Sequence, residues 1–366
     1  MPLLAGGALE LPLGILASGP ARRRRAVLIG GIVFILSLLA VAGARSFWVL
    51  LAAVTVFFPA SGAFVSLTQA ELMDAWPDRQ AKVMARWDLA GSTGAVAGPL
   101  LLTAVLAVGG GWRVAYLALA AAAAAAWLGT CLRAPFPASA SPASSGAGFW
   151  TRAREVLAAL RDWSTMRWVL LIEVADLLVD VFTGFLAVYL VDVVHLSPAV
   201  AALAIAIRLG AGLAGDAALV VVLDRAADVT VLRVSAVAAA LLYPGFLLAP
   251  GAPAKLVILA VLSAATAPWY PILQARLYGS LPGRSSVAVT LSSAAALAGG
   301  LGPLTVGLIA GAFGLSWALV LLVVVPVAVL AGSVRAGSGA AGPGAAGPGA
   351  VRGGPGAADD TNVSDD

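Results

Sequence analysis

Long stretches of this chain carry no charged residue, and their lengths match that of a helix crossing a lipid bilayer. About 20 consecutive apolar residues are needed to span the hydrocarbon region. The uncharged runs of this kind are 26–44, 46–70, 89–112, 114–132, 234–254 and 256–275. Soluble domains carry about a quarter charged residues, whereas 11% of this chain is charged and 61% is apolar. The sequence therefore predicts an all-α, polytopic membrane protein and argues against a soluble domain.

The longest uncharged run, residues 285–334, is too long for one crossing. As a single helix it would extend about 75 Å at 1.5 Å per residue, so we expect it to fold back at Gly311–Gly314. With this turn, about eleven membrane helices are predicted. Their ranges are 2–18, 26–44, 47–69, 88–109, 113–132, 168–190, 199–222, 234–249, 256–274, 287–310 and 315–333.

Basic residues set the predicted orientation, because loops rich in Lys and Arg stay in the cytoplasm. A cytoplasmic Arg22–Arg25 loop places 18 of the 22 Lys and Arg residues on that side, with Arg45, Arg113 and Lys255 outside and Arg208 in the membrane. The C-terminus is then cytoplasmic. The net charge of +4 lies beside the bilayer and does not indicate a nucleic-acid partner. We expect a multi-pass protein of a cell membrane, most simply the bacterial cytoplasmic membrane.

The two halves of the chain repeat one pattern in the same membrane orientation. The pattern Q-A-x-L-x4-P-x-R at 69–79 recurs at 274–284, an offset of 205 residues (274 − 69). Gly98-Pro99 recurs as Gly302-Pro303, 204 residues later (302 − 98). A shared offset over several segments predicts a parallel duplication of a six-helix unit.

The same offset gives the helix that starts near residue 168 a counterpart beginning roughly 38 residues before Met1. We therefore expect the chain to lack the first helix of its first half, through a misplaced start or as a truncated copy. The predicted organisation is a membrane half at 1–132, a cytoplasmic linker at 133–167, a second membrane half at 168–333 and a tail at 334–366. The linker contains apolar and basic residues at helical spacing from Phe149 to Trp163, which predicts a helix on the membrane surface. The Gly/Ala/Pro-rich tail is predicted to be disordered and cytoplasmic.

Over residues 1 to about 333 the chain resembles the major facilitator superfamily. The family's loop signature, G-x-L-A-D-R-x-G-R-K, is similar to residues 14–23, which keep Gly14, Arg22 and Arg23 but have Ser18 in place of the aspartate. The second half keeps that acidic residue in Asp224-Arg225. In the family this residue helps to latch the cytoplasmic side closed. The resemblance therefore implies a weakened latch in the first half and assigns the role to Asp224.

Gly94-x-x-x-Gly98-Pro99 resembles the family's antiporter signature, without the last two glycines of that signature. Glycines allow close approach of neighbouring helices and a proline bends a helix. With Gly302 and Pro303, these residues are the predicted conformational elements of the membrane region. Ordinary packing of small residues is the alternative interpretation.

Ionisable residues inside predicted membrane helices mark the candidate transport site, since each costs at least about 2.5 kcal/mol unless it is partnered or hydrated. Glu173, Asp176 and Asp180 share one face of a regular helix. We expect these three carboxylates to line a watery cavity. Helices equivalent to this one line the central cavity in the family that the chain resembles.

The next predicted helix carries Arg208 and Asp216 at similar depths. Asp180 is expected to lie within reach of Arg208, and Glu173 and Asp216 could share a proton. Glu10 occupies the position of Asp216 in the first half. A helix-locking ion pair without a transport role is the alternative. Polar and aromatic residues predicted to line the same cavity are Ser61, Ser66, Gln69, Thr266, Trp269, Tyr270 and Gln274. Trp269 and Tyr270 have the membrane interface as a second possible location.

The resemblance implies a secondary transporter of a small solute, working as a monomer by alternating access between its halves. We expect proton coupling through the carboxylates. Efflux of an amphipathic or cationic solute is favoured over uptake by the antiporter-like signature and the acidic cavity. No cofactor, metal or enzymatic activity is expected, because no phosphate loop, nucleophile–base pair or cysteine cluster occurs in the sequence. A non-transporting member of the family with a structural or sensory role is the alternative function.

Overall fold

The computed structural model describes residues 20–133 and 149–334, and all regular secondary structure in these residues is helical. The α-helices are α1 (Pro20–Gly43), α2 (Phe47–Ala75), α3 (Gln80–Ala107), α4 (Trp112–Leu132), α5 (Phe149–Arg161), α6 (Trp163–Asp176), α7 (Phe182–Val188), α8 (Pro198–Val222), α9 (Asp228–Leu248), α10 (Gly251–Thr266), α11 (Trp269–Gly279), α12 (Ser285–Gly299), α13 (Gly302–Phe313), α14 (Leu315–Leu321) and α15 (Val324–Val334). We refer to residues 20–133 as the first half and to residues 163–334 as the second half.

Nine helical stretches within the described residues are long and apolar enough to cross a membrane. The predicted crossing at 168–190 is interrupted, because π-helical turns at Leu177–Val181 and Tyr189–Val193 flank α7. The predicted helix at 2–18, the segment 134–148 and the tail after 334 lie outside the described residues. The count of eleven crossings therefore stays a prediction.

Several predicted helix boundaries were wrong at the ends rich in charge. The crossing predicted at 88–109 begins at Gln80, and the one predicted at 256–274 runs over Gly251–Gly279 with a bend at Ala267-Pro268. Boundaries inferred from uncharged runs stop at the first charge, whereas helical hydrogen bonding continues beyond the hydrocarbon. The run 285–334 turns at Gly314, inside the predicted Gly311–Gly314 segment. Its φ of 91° is accessible to glycine at little cost.

Close helix contact in the first half depends on a glycine. A Cβ at Gly30 of α1 would lie 2.7 Å from the Cβ of Ala63 on α2, so the two backbones could not approach this closely with a larger residue. On the other side of α1, the Trp127 indole N–H donates to the Leu28 carbonyl at 2.9 Å. This contact joins α1 to α4.

The core of the second half is aromatic. Phe182, Tyr243, Phe246 and Trp269 are fully buried, and the Phe182 ring meets the rings of Tyr243 and Phe246 edge-on at centroid distances of 5.3 and 5.4 Å. The Tyr243 hydroxyl donates to the Leu319 carbonyl at 2.8 Å. Large rings with satisfied polar atoms hold α7, α9 and α14 together.

One end of the bundle gathers the basic loops, and we call it the basic end. It contains the first turn of α1 and the segments 76–82, 223–228 and 279–285. Lys255, predicted to lie on the external side, is buried at the opposite end of the bundle. Its ammonium donates to the carbonyls of Phe246 at 2.7 Å and Leu247 at 3.0 Å, at the carboxyl end of α9. A cation stabilises this end of a helix, where carbonyls lack partners.

The local backbone at the repeated motif is alike in the two halves. Arg79 precedes α3 with φ −132° and ψ 24°, and Arg284 precedes α12 with φ −122° and ψ 39°. Gln69 and Gln274 are both buried. The two copies of the sequence pattern therefore start equivalent helices in equivalent ways, as a duplication requires.

Candidate functional site

Tyr270 marks a cavity in the middle of the bundle. Gln69 of α2 is a polar neighbour of its hydroxyl, and its charged neighbours are Asp88 of α3 and the carboxylates Asp176 and Asp180. Tyr270 is 36% exposed although four helical segments from both halves surround it. We interpret this exposed surface as part of a cavity between the halves.

The three carboxylates predicted on one helix face are arranged around the first π turn. Asp176 ends α6, and Asp180 lies within the turn at Leu177–Val181. Asp176 lies within electrostatic range of both Asp180 and Glu173. Glu173 and Asp176 are half-buried, whereas Asp180 is exposed. The structure therefore brings all three carboxylates together.

Arg208 of α8 is buried and binds the wall of this π turn. Its Nη2 donates to the Val179 carbonyl at 2.5 Å and its Nε to the Thr183 hydroxyl at 2.5 Å. Its Nη1 reaches the Ser263 hydroxyl of α10 at 3.5 Å. Neutral oxygens thus satisfy most of its donors.

Asp180 lies between the two residues that hold Arg208 and within electrostatic range of it. In the described residues, however, no ion pair within 4.0 Å joins the two side chains. The sequence analysis assumed a regular helix of 100° per residue. A π turn has i to i+5 hydrogen bonds, and here Phe182 N–H donates to Leu177. The turn changes the direction of Asp180 and presents the Val179 carbonyl to the guanidinium.

Asp216 is buried against the first half, not against Glu173. It accepts a hydrogen bond of 2.5 Å from Ser92 of α3, and the charge near it is that of Asp88 on the same helix. The expected proton-sharing pair of Glu173 and Asp216 is therefore wrong. Asp216 points from α8 towards α3, because these two helices pack together across the boundary between the halves.

Glu173 packs on a break between two helices. A Cβ at Gly299 would lie 1.8 Å from Glu173 Oε2, and one at Gly302 would lie 2.6 Å from Leu177 Cδ2. These glycines end α12 and begin α13. The segment that carries Glu173 therefore packs directly against the backbone of Gly299 and Gly302, which have no side chains.

Other predicted cavity residues have different locations. Trp269 is fully buried, and its indole N–H donates to Ser235 of α9 at 3.0 Å, so it belongs to the core and not to the cavity or the membrane interface. Thr266 is buried with its hydroxyl bonded to carbonyls of its own helix. Gln274 is buried and donates to Ser292 of α12 at 3.4 Å. Ser61 and Ser66 of α2 are half-buried.

The glycine signature in α3 does not serve close packing. A Cβ at Gly94 or Gly98 would meet no atom within 4 Å, whereas Gly302 contacts Leu177 closely. Pro99 lies inside α3, and Pro303 lies in the first turn of α13. The interpretation that Gly94 and Gly98 allow neighbouring helices to approach closely is therefore wrong for this conformation. Glu10 and Gly14 lie outside the described residues.

The basic end is held closed by contacts between the halves. Arg23 is buried and forms an ion pair with Asp74 at 2.7 Å, and its second nitrogen donates to Ser285 of the second half at 2.8 Å. The Ser285 hydroxyl donates to Asp74 at 2.5 Å. This arrangement, which we call the Arg23–Asp74–Ser285 network, joins the start of α12 to α1 and α2.

A second contact at this end involves the predicted latch residue. Lys82 of α3 forms an ion pair with Asp224 at 2.8 Å. Its hydrogen bond and charge lower the pKa of the Asp224 carboxyl. Arg225 adds a positive charge beside Asp224, and Arg22 is exposed at the start of α1.

Comparisons with known proteins identify the family. The sequence profile of the Major Facilitator Superfamily matches residues 1–286. The chain belongs to the Major Facilitator Superfamily. Membership indicates a multi-pass membrane transporter rather than an enzyme. No curated protein matches the sequence at a significant level.

Solved structures with the same architecture are members of this superfamily. The fucose:proton symporter FucP of E. coli, in its outward conformation, superposes with a TM-score of 0.75 at 16% identity over 91% of this chain and 88% of that chain. The human organic anion transporter MFSD10 gives 0.73 at 20% identity, over 90% and 83% of the two chains. The proton:xylose symporter XylE gives 0.70 at 13% identity, over 91% and 84%. Identities this low establish the shared fold.

Sequence reasoning missed Asp88, Ser92, Asp74 and Ser285. Asp88 was taken as the first residue of its crossing, whereas α3 begins at Gln80, which places Asp88 about 12 Å along the helix. The available signal was the helix-forming Gln80–Trp87 segment, whose two basic residues hid its continuity with the apolar run.

Proposed function

We propose that this superfamily member couples proton movement to transport of a small solute through the cavity at Tyr270. The observation that supports this proposal is the gathering of Asp176, Asp180 and Asp88 around that hydroxyl, with Arg208 close by and bound to neutral oxygens. Neighbouring carboxylates in a poorly solvated site favour proton uptake, so protons and a cationic solute would compete for them.

Arg208 gives this competition a structural consequence. When Asp180 carries a charge it attracts the guanidinium, and when it binds a proton the guanidinium stays on Val179 and Thr183. Protonation would thereby change the position of α8 relative to the π turn. A ligand that binds two states differently shifts their populations, which is what coupling requires.

The conformation supports a cavity that opens away from the basic end. The Arg23–Asp74–Ser285 network and the Lys82–Asp224 pair close the basic end. If the basic residues lie in the cytoplasm, this state faces outward. We propose net efflux in exchange for protons on the antiporter-like Gly94–Pro99 signature, and the acidic cavity favours a cationic or amphipathic solute.

Proteoliposomes with an internal pH-sensitive dye would test the proposal. A panel of cationic, amphipathic, neutral and anionic solutes is added to one side, and proton movement is recorded. We expect a cationic or amphipathic solute to drive proton flux in the parent protein. Asp180→Asn and Asp176→Asn should each abolish gradient-driven accumulation while solute exchange continues.

Asp192→Asn is the matched control, because Asp192 is exposed in the second π turn, away from Tyr270. It should transport like the parent. Normal accumulation by folded, inserted Asp180→Asn and Asp176→Asn proteins would exclude these carboxylates as coupling groups. Absence of proton flux with every transported solute would exclude proton coupling itself.

A further inference from the structure

A cavity of about 720 Å³ opens at the basic end between the two halves. Four basic side chains line it: Arg79, Lys82, Arg167 and Arg276. Its acidic lining residues are Asp78 and Asp228. Residues of α3 in the first half face residues of α6, α9 and α11 in the second half, so an occupant would touch both halves at once.

The positive charge of this cavity is not balanced by its own carboxylates. Asp228 is paired with Arg276 at 2.5 Å, and Lys82 is paired with Asp224 outside the lining. Within the described part of the chain, Arg79 and Arg167 have no carboxylate within 4.0 Å. They approach the cavity from opposite halves. An anionic occupant with more than one carboxylate could pair with both.

Arg167 and Arg276 also retain unused donors. The Arg167 guanidinium stacks on Trp168 at 4.5 Å, and its Nε–H has no acceptor. The Nε–H of Arg276 likewise has no acceptor. Both of these Nε atoms are buried, so a ligand in the cavity would meet the terminal Nη groups, with which carboxylates form paired hydrogen bonds.

The chain itself contains a segment of the required charge. Residues 359–366 include four aspartates and no basic residue, and a Gly/Ala/Pro-rich stretch, 335–358, joins them to α15. The last turn of α15 contacts α9, because Arg233 donates to the Ser333 carbonyl at 3.0 Å, and α9 begins at the cavity-lining Asp228. Arg233 is five residues along α9 from Asp228, which is about 7.5 Å.

The connecting stretch is long enough. A Gly-rich chain of 24 residues (335 to 358) has a root-mean-square length of about 25–30 Å. This length is larger than the roughly 7.5 Å that separates Arg233 from the cavity-lining Asp228 along α9. Attachment to the same chain gives a local concentration in the millimolar range, so individually weak pairs are sufficient for docking.

We propose that the aspartate-rich segment 359–366 docks into this basic cavity and bridges the two halves. Its carboxylates pair with Arg79 on the first half and Arg167 on the second. Docking is possible only while the halves are close at the basic end. The segment therefore stabilises the closed state and slows the change to the state that is open at the basic end. The segment thereby acts as an inhibitor attached to its own transporter.

Disulfide crosslinking tests the contact without any transport measurement, so its result is independent of the proposed coupling mechanism. The full chain carries Cys131→Ala, Ser364→Cys in the segment, and Ser164→Cys or Ser280→Cys in the cavity lining. Ala21→Cys, exposed at the same end but outside the lining, is the positional control. We expect efficient crosslinking at Ser164 and Ser280 in low salt, and little at Ala21.

Neutralising Asp359, Asp360, Asp365 and Asp366 to asparagine should lower the crosslinking rate about tenfold, because it removes all four aspartate charges and exposed ion pairs contribute modestly to docking one by one but together account for it. One molar salt should act similarly, since the screening length falls to about 3 Å. Changing Thr361 and Asn362 to alanine, which keeps the charge, should have no effect. Equal rates at all three cysteines, or a rate indifferent to the aspartates, would overturn the proposal. Protection of Ser164→Cys from alkylation by inorganic phosphate, without crosslinking to the segment, would also overturn it and identify a soluble anion as the occupant.

Discussion

Ser285 offers the cleanest way to loosen the basic end, because it is the member of the Arg23–Asp74–Ser285 network that belongs to the second half. It is buried, accepts from Arg23 at 2.8 Å and donates to Asp74 at 2.5 Å. In Ser285→Ala the ion pair of Arg23 with Asp74 remains inside the first half. The substitution therefore removes the link between the halves and leaves each half with its own contacts.

The expected effect follows from the kinds of bond that are lost. Hydrogen bonds to charged groups contribute about 1.5–3 kcal/mol each, and water entering the opened gap replaces part of this. A net loss of about 2 kcal/mol changes an equilibrium about 30-fold, since 1.36 kcal/mol is a factor of ten. If the closed state predominates by less than this factor in the parent, the variant should be mainly open at the basic end.

Distances between spin labels would measure this shift. Labels on Asp78→Cys and Ala227→Cys, in a Cys131→Ala background, report on the two halves at the basic end. The distribution should move to longer distances in Ser285→Ala. Ser286→Ala is the control, because only the Ser286 carbonyl takes part in a hydrogen bond. An unchanged distribution in a folded Ser285→Ala protein, or an equal shift in Ser286→Ala, would show that the network does not hold this end closed.

Three further outcomes are expected at sites outside this network. Gly299→Ala should displace the Glu173 carboxylate, which lies 1.8 Å from the new methyl position, and alter transport rate, whereas Gly311→Ala, with nothing within 4 Å, should not. Lys255→Met should lower the unfolding temperature by removing the cap of α9, a loss of about 1–3 kcal/mol, while Lys82→Met, at an exposed ion pair, should lower it much less. Because the folded-state pKa of Asp224 is lowered, its pair with Lys82 is fully formed above the ordinary aspartate pKa of about 4 and is lost as pH falls through the lowered value. The label distances in Asp224→Asn should therefore depend less on pH below about 4 than those of the parent.

The positions of the membrane crossings could be predicted from the sequence, because charge exclusion from hydrocarbon is a local property of composition. The internal break of the crossing at 163–193 could not, since π turns have no compositional signal here and depend on tertiary partners such as Arg208. Because of the π turn at Leu177–Val181, Arg208 binds the Val179 carbonyl and the Thr183 hydroxyl and forms no ion pair with Asp180. The same limit applies to Trp269, which carries the composition of an interface residue but has its indole bonded to Ser235 in the core.

The repeat also explains why the closing contacts differ between the halves. The alignment of Ser18 with Asp224 pairs Arg22 with Asp228 (228 − 22 = 206), and Glu71 corresponds to Arg276 (276 − 71 = 205), so both positions have reversed charge. Asp228 and Arg276 form an ion pair at 2.5 Å, and Arg23 has Asp74 as its ion-pair partner and Glu71 as a charged neighbour. An ion pair is kept when both of its charges are reversed together. If only one of the two charges were reversed, the residues would repel each other. What both halves retain is thus an attraction between the start of one helix and the end of another. Because each half satisfies that attraction internally, the polar contacts between the halves at the basic end depend on Ser285 and Asp224, which one substitution each can remove without unfolding either half.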